Sequence, residues 1–498
     1  MCFAHSIIWK LLRFALTSIL VFSPLAGARA EYALSTLWSF AGGSGNDGAQ
    51  PLAGLMFDSH GALYGTTLYG PNDNGTGTVF RLAPPTDGEG WTEAVLQGFT
   101  LAARESGLYP YAGLVSDASG NLYGTTSQGG TYTNCYNECG TVFMLTPPSA
   151  GTVWHETVLY EFTGADDGWY PQAGLTLGRD GALYGTASYG GNCTGYGSQG
   201  CGVVFRLAPP IYGGGSWTFS TLYVFQGGHD GAIPEGNLIF DSSGALYGTT
   251  FFGGFGFCCG TVFKLSPPTA RAGSSWTETV LYHFRTSNDG QYPTAGLVFD
   301  TAGALYGTTV SGVSSNSNCG SSGCGTVFRL EPGPECAKPS AGVANCHLLI
   351  EQAPTPWHET VLYSFAGGSD GRAGPGSPGL VFDSAGALYG TTGYGGNAGC
   401  GGSGCGTVFK LTAPPTASGA SWTETILHVF NGADGGLPQA GLIFDGSGAL
   451  YGTTSGWGEY GYGTVFQLSA QASGQARRKL PVSEARFPGL APLSGQSR

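Results

Sequence analysis

Beyond its first thirty residues the chain has no segment suited to a helix. No stretch of ten residues carries apolar side chains at helical spacing, and no apolar run approaches the roughly 20 residues that cross a bilayer. Charge is also scarce, at 10% of residues against about 25% in an average soluble domain. Basic residues are the rarer sign: 19 Lys and Arg stand against 32 Asp and Glu, a formal net charge of −13. The one basic cluster, Arg477-Arg478-Lys479, lies past the last repeat. No basic stripe is present to neutralise phosphates, which excludes nucleic acid as a partner and disfavours anionic membranes. Sugars, small molecules, cations and other proteins remain. Catalytic signatures are missing too. His155-Glu-Thr-Val-Leu159 and His358-Glu-Thr-Val-Leu362 lack the second His of a zinc-protease motif and alternate as strands, and neither a Gly-Lys phosphate loop nor a Gly-x-Ser-x-Gly elbow occurs.

What the chain does have is glycine, 89 residues of it, aromatics at 13%, and one phrase repeated seven times. Leu-Tyr-Gly-Thr-Thr begins at Leu63, Leu122, Leu246, Leu305, Leu388 and Leu450, and Leu-Tyr-Gly-Thr-Ala at Leu183. A regular period of this kind means units that bury their apolar faces against each other. The best-formed unit reads Ala295 to Asp300, Ala304 to Thr309, Gly325 to Leu330 and Thr360 to Phe365, four short β-rich runs bounded by Gly, Pro and Asp. Asp300 to Gly303 is a tight hairpin turn. Four strands per period, seven periods, predict an all-β fold: a single seven-bladed β-propeller of four-stranded antiparallel blades over residues 31–469. Leu34 to Phe40 is a fourth strand with no blade before it, and Ala440 to Asp445, Ala449 to Thr454 and Gly463 to Leu468 are three strands lacking a fourth. Joining them closes the ring 3+1 and removes the open edge.

The phrase Gly-Ala-Leu-Tyr-Gly-Thr-Thr, followed by Gly-Gly and Gly-Thr-Val-Phe-x-Leu, resembles the GloVer tandem repeat of bacterial exported proteins across residues 34 to 468. That resemblance implies export, with cell-surface anchors of various kinds and no assigned chemistry. A more distant similarity, in Gly-Leu-x-x-Asp-x-x-Gly-x-Leu-Tyr, is to NHL-type propeller blades, usually interaction platforms. The tail from 470 to 498 carries neither an apolar anchor nor a sorting motif and is expected to be disordered.

Residues 1–30 read as a signal peptide: Lys10 and Arg13 precede the apolar run Phe14 to Phe22, and Ala28-Arg29-Ala30 offers a cleavage site. Removal leaves 16 basic residues against 32 acidic ones, about −16. The twelve cysteines beyond this segment form close pairs, Cys135 with Cys139, Cys193 with Cys201, Cys258 with Cys259, Cys319 with Cys324, Cys336 with Cys346 and Cys400 with Cys405. An even, locally paired count in an exported chain predicts disulfides, five of them in the loop before a third strand. Cys258-Cys259 would be vicinal, a strained arrangement that can mark a ligand platform. Zinc is not expected, since no His accompanies the pairs.

Two groups of residues could bind a ligand. The link between blades carries Asp47, Asp167, Asp230, Asp289, Asp370 and Asp434 ahead of Gly and Pro. Six symmetric carboxylates could ring the channel mouth and attract a cation such as calcium, or each could simply hold an Asx-type turn. The aromatics Tyr109, Trp169, Tyr170 and Tyr292 in those links, with Tyr189 and Tyr394 in neighbouring Gly-Gly loops, suit sugar stacking. Trp91, Trp154, Trp217, Trp276, Trp357 and Trp422 precede outer strands and are assigned to packing. An insertion from Glu331 to Trp357 is a possible docking excursion. The expectation is a secreted, monomeric propeller, extracellular or periplasmic, that binds a glycan or protein without catalysis. Its rival is a propeller hydrolase or lyase with a cation at the channel mouth.

Overall fold

The computed structural model describes residues 32–471, except 45, 72–74, 87–89, 136–137, 194–198, 212–213, 255–257, 270–274, 286–288, 313–318, 320–322, 334–356, 374–378 and 416–420. Tyr32–Ser469 form one compact unit of seven four-stranded antiparallel sheets. Six blades use four consecutive strands. In the seventh, Ile443–Phe444, Leu450–Thr454 and Thr464–Ala470 are joined by Tyr32–Ser39 as the outer strand, the 3+1 closure expected from the two ends. The insertion with Cys336 and Cys346, the signal segment and the tail beyond residue 471 lie outside the described residues.

Each letter of the repeated phrase has a separate physical task. In blade 1, Leu63 is fully buried in the cluster shared with blade 7. The Tyr64 hydroxyl donates to Asp58 of the hairpin turn, 3.2 Å. Gly65 pairs across the strands with Phe80, whose ring would lie 2.6 Å from any Cβ placed there, so only glycine fits. Thr66 donates to the Ala112 carbonyl of the next blade, 3.0 Å, and the Thr67 and Thr78 hydroxyls bond each other at 2.7 Å. The exceptional fifth residue in blade 3 is matched by its partner: Ala187 faces Val203 where the other blades pair two threonines. Replacing both partners leaves no buried hydroxyl unsatisfied.

Between blades runs a ladder of phenylalanines. A phenylalanine at the end of each outer strand packs against the third-strand Phe of the following blade, edge-on in all but blade 1, as in Phe225 with Phe263 and Phe284 with Phe328, both 5.1 Å. The pair that crosses the closure, Phe40 with Phe80, has the same 5.1 Å separation. The innermost strands are shorter than expected, only two residues in each blade, Val298–Phe299 in the fifth. Ahead of most of these strands a threonine of the preceding blade donates to the chain, Thr249 to the Ala295 carbonyl at 3.2 Å and Thr453 to that of Ala53 at 3.2 Å across the closure.

On the face carrying the hairpin turns, one arrangement recurs. A turn aspartate accepts a tyrosine hydroxyl at 2.9–3.2 Å in all seven blades. Arg81, Arg206, Lys264, Arg329 and Lys410 stand 4.9–5.9 Å from the ring centre of that tyrosine. The tryptophan of the next blade meets the same ring edge-on, for example Tyr247 with Trp357 at 6.5 Å. In blade 3 the turn differs: Gly178 takes the usual aspartate position and Asp180, two residues on, fills the space with its carboxylate, 3.1 Å from the Tyr184 hydroxyl. Burial would raise these carboxyls, but the turn side chains of Asn121, Ser243 and Ser447, with backbone N–H groups and the tyrosine hydroxyl, outweigh it and hold Asp117, Asp241 and Asp445 below their ordinary range.

Candidate functional site

The opposite face is built where each inter-blade link meets the loop between the second and third strands of the blade it enters. The two segments touch through one isolated bridge per blade: Ala49 with Tyr69, Leu108 with Gln128, Trp169 with Tyr189, Ala232 with Phe252, Gln291 with Ser311, Arg372 with Tyr394, and Gly436 with Gly456. The backbone geometry repeats while no two blades carry the same pair of side chains.

Five disulfides, Cys135–Cys139, Cys193–Cys201, Cys258–Cys259, Cys319–Cys324 and Cys400–Cys405, pin these loops. In each, the carbonyl of the second cysteine accepts the backbone N–H of the residue that enters the next blade. Cys139 takes Tyr170 at 3.0 Å, Cys201 takes Ile233 at 2.9 Å and Cys259 takes Tyr292 at 2.9 Å. The staple therefore holds an inter-blade latch. Tyr170, Ile233 and Tyr292 adopt left-handed backbone, φ 61°, 58° and 61°, just ahead of the proline that leads to the innermost strand. Blades 1 and 7 make the same latch without cysteine, through the Thr76 and Tyr462 carbonyls.

The six link aspartates stand beside the outer strands, where each link begins, and not beside the innermost strand where it ends. Asp167 accepts the Tyr160 hydroxyl at 2.9 Å and the Thr163 N–H at 2.7 Å. Asp230, Asp289 and Asp370 repeat this with Tyr223, Tyr282 and Tyr363. Asp47 takes the Trp38 indole N–H and Asp434 the His428 ring. Among the described residues no three His, Cys, Asp or Glu side chains gather as an ion site. Next to these aspartates lie outer-strand glutamates of the following blade. Burial, and then the nearby aspartate, push Glu93, Glu278 and Glu359 up to about 8, and the Oε1 of each is buried without a hydrogen-bond partner.

The expected aromatics are partly exposed and fall into separate groups. Trp169, Tyr170 and Tyr189 come together, with Trp169 stacked on Tyr189 at 4.7 Å and Tyr170 5.9 Å from Tyr189. Tyr292 stacks on Phe251 at 4.9 Å, Tyr109 meets Tyr69 edge-on at 6.0 Å, and Tyr394 lies under the Arg372 guanidinium at 4.7 Å. The Trp169 group has neighbours toward the axis. Tyr111 and Tyr189 are both pushed up, first by burial and then by the charge of Glu235 and by Tyr170, so these groups of consecutive blade junctions sense one another. Burial raises Glu235 itself to about 7. Two residues on, Asn237 accepts the Gly174 N–H at 2.6 Å and touches the Gly296 position of the blade beyond. At the axial mouth this cluster offers one titratable carboxyl, phenol hydroxyls and a stacked aromatic pair.

The sequence signature of the Gloeobacter/Verrucomicrobia repeat matches residues 26–198, 189–342 and 348–485. The chain belongs to this repeat family. No curated protein matches it. Among solved structures, PorZ, a surface component of the type-IX secretion system of Porphyromonas gingivalis, aligns at a TM-score of 0.37 with 11% identity. The alignment covers 79% of this chain and 44% of that one, so the repeat protein spans less than half the length of that relative.

Glu235 and Asn237 were missed from the sequence, although a signal existed. Links in this Gloeobacter/Verrucomicrobia repeat protein read Pro-x-Ala-Gly-Leu at Pro51, Pro110, Pro171, Pro293 and Pro438, whereas blade 4 reads Pro234-Glu-Gly-Asn-Leu238. Gly236 and Asn237 depart from the consensus, while Glu235, like Tyr111, fills its variable position.

Proposed function

We propose that this protein is an exported binding module that recognises carbohydrate at the axial mouth of its loop face. The grouping of Trp169, Tyr170, Tyr189 and Tyr111 around Glu235 carries the reading. A pyranose presents aliphatic C–H groups on one face and hydroxyls at its edge. Stacked aromatic rings suit the first, and a carboxyl with phenol hydroxyls suits the second. Five disulfides and a signal-like segment support export to an oxidising compartment. No helix among the described residues is long and apolar enough to cross a membrane.

A glycan array probed with the full mature chain, followed by calorimetry on the best hit, tests the reading. Trp169→Ala and Tyr189→Ala are expected to weaken binding by about tenfold or more, with unfolding midpoints close to wild type. An array without hits, or variants that bind as wild type does, removes this site from consideration. A hydrolytic reading has one observation in its favour, because a carboxyl near 7 can donate a proton at neutral pH. Release of reducing ends from the array hit, abolished by Glu235→Gln, would establish it.

A further inference from the structure

Blade 7 breaks the pattern of the loop face at one residue. In blades 2, 3, 4, 5 and 6 the loop after the second strand places a glycine with positive φ, Gly129, Gly190, Gly253, Gly312 and Gly395, against the entering link. A Cβ at any of the five would lie 2.4–2.6 Å from a glycine Cα of that link. Blade 7 puts Trp457 there. The equivalence is set by hydrogen bonds: the Trp457 carbonyl accepts the Gly463 N–H as the Gly253 carbonyl accepts that of Gly260, and Gly458 donates to Gly432 as Gly254 donates to Gly228. Trp457 thus holds left-handed backbone, φ 60°, where every L side chain is strained. The residue is partly covered by packing and 36% of it remains exposed.

Two more rings share the nine-residue loop: Tyr460 is 52% and Tyr462 44% exposed. Their seating is deliberate in the sense that glycines lie beneath them. Trp457 rests on Gly432 and Gly436, whose hypothetical Cβ atoms would meet it at 3.4 and 3.1 Å, beside the Cys400–Cys405 disulfide. Tyr462 lies on Gly42, where a Cβ would touch three ring atoms at 3.1 Å, and its carbonyl is latched by the Gln50 N–H at 2.9 Å. Trp457 and Tyr462 are thus seated against backbone, while all three rings keep a third or more of their surface exposed. Glu459 is the single charge of the loop.

We propose that the loop from residue 455 to 463 is a carbohydrate-stacking platform, separate from the axial cluster, on which Trp457, Tyr460 and Tyr462 take the C–H faces of a neutral polysaccharide. Flat rings with a single charged residue among them match a chain of neutral pyranoses. A stable protein partner would need about 800 Å² of surface on each side, far more than three rings supply. The platform extends the carbohydrate reading given above but shares no residue with that site.

Native affinity electrophoresis of the full mature chain in gels containing xyloglucan, mixed-linkage β-glucan, galactomannan or pullulan tests it, with cellulose and chitin pull-downs alongside. Retardation by at least one polysaccharide is expected. Trp457→Gly should raise the apparent Kd about tenfold and Tyr462→Ala by a smaller factor, while the Trp457→Gly midpoint of unfolding stays unchanged or rises, since glycine accepts this backbone freely. Three outcomes overturn the proposal: no retardation in any gel, undiminished retardation of Trp457→Gly, or a lowered midpoint in that variant, which would make the ring a packing residue. Loss of self-association in Trp457→Gly on size-exclusion chromatography would also overturn it, by making a second copy the occupant. Retention in Trp169→Ala with loss in Trp457→Gly removes the axial site and keeps the platform; the converse does the reverse.

Discussion

The two faces of this propeller use the same repeat in opposite ways. On the hairpin face an aspartate, a tyrosine, usually a basic side chain and a tryptophan of the next blade recur around the ring, and even the shifted turn of blade 3 restores the aspartate–tyrosine bond. On the loop face the backbone, most link aspartates and the cysteine pairs recur, while the side chains at the bridges vary. Its seven bridges carry Trp–Tyr, Arg–Tyr, Ala–Phe and Gly–Gly pairs, among others, on one scaffold. Both faces join blades, the hairpin face through uniform side chains and the loop face through backbone latches that leave its bridge side chains free to vary. Loops held by a rigid scaffold are where binding commonly resides.

Phe328→Ala should give the largest effect, since it breaks the core on which both faces depend: a loss of about 3–5 kcal/mol, read by urea unfolding. Next comes pH. Glu93, Glu278 and Glu359 have folded values of about 8, above their unfolded value. Their stabilising contribution is therefore complete below the unfolded value and lost as pH rises through about 8. Asp117, Asp241 and Asp445 on the hairpin face are held low, so theirs is present above the unfolded value and lost as pH falls through the folded one. Thermal scans should show a maximum in mildly acidic buffer. A maximum at pH 9 would refute the burial of the glutamates.

Asp300→Ala on the uniform face removes the acceptor of the Ala302 and Ala304 N–H groups and of the Tyr306 hydroxyl, at about 1–3 kcal/mol. A smaller effect is expected where two partners change together. Thr250→Ala alone strands the Thr261 hydroxyl and should cost about 1–2 kcal/mol, whereas the Thr250→Ala, Thr261→Val double variant, which copies blade 3, should cost less than the two single changes combined. Smallest of all is Tyr394→Ala on the variable face, within about 0.5 kcal/mol. A loss there as large as that of Asp300→Ala would erase the distinction between the faces.

Much of this was legible in the letters. Seven copies of one phrase set the blade number, the lone strand and the trailing trio set the closure, and close cysteine spacing announced five of the disulfides. The tryptophans before the outer strands pack between blades as expected. Less was legible at the sites. The link aspartates could be counted but not aimed, because whether such a carboxylate meets the axis or the outer strand depends on where the link turns, and Tyr160 or Tyr223 receives it first. The loop aromatics could be named but not grouped, because Trp169 and Tyr189 are partners only through a bridge between a link and the following blade.

Composition and periodicity were enough to specify strands, blade count and staples, since these follow from local backbone preference and from apolar faces that must be covered at a regular interval. Convergence of Glu235 with Tyr111 and Tyr189, and the exposed seat of Trp457 on bare glycine, arise from distances between segments of different blades. No local pattern encodes such distances; they exist once the ring has closed.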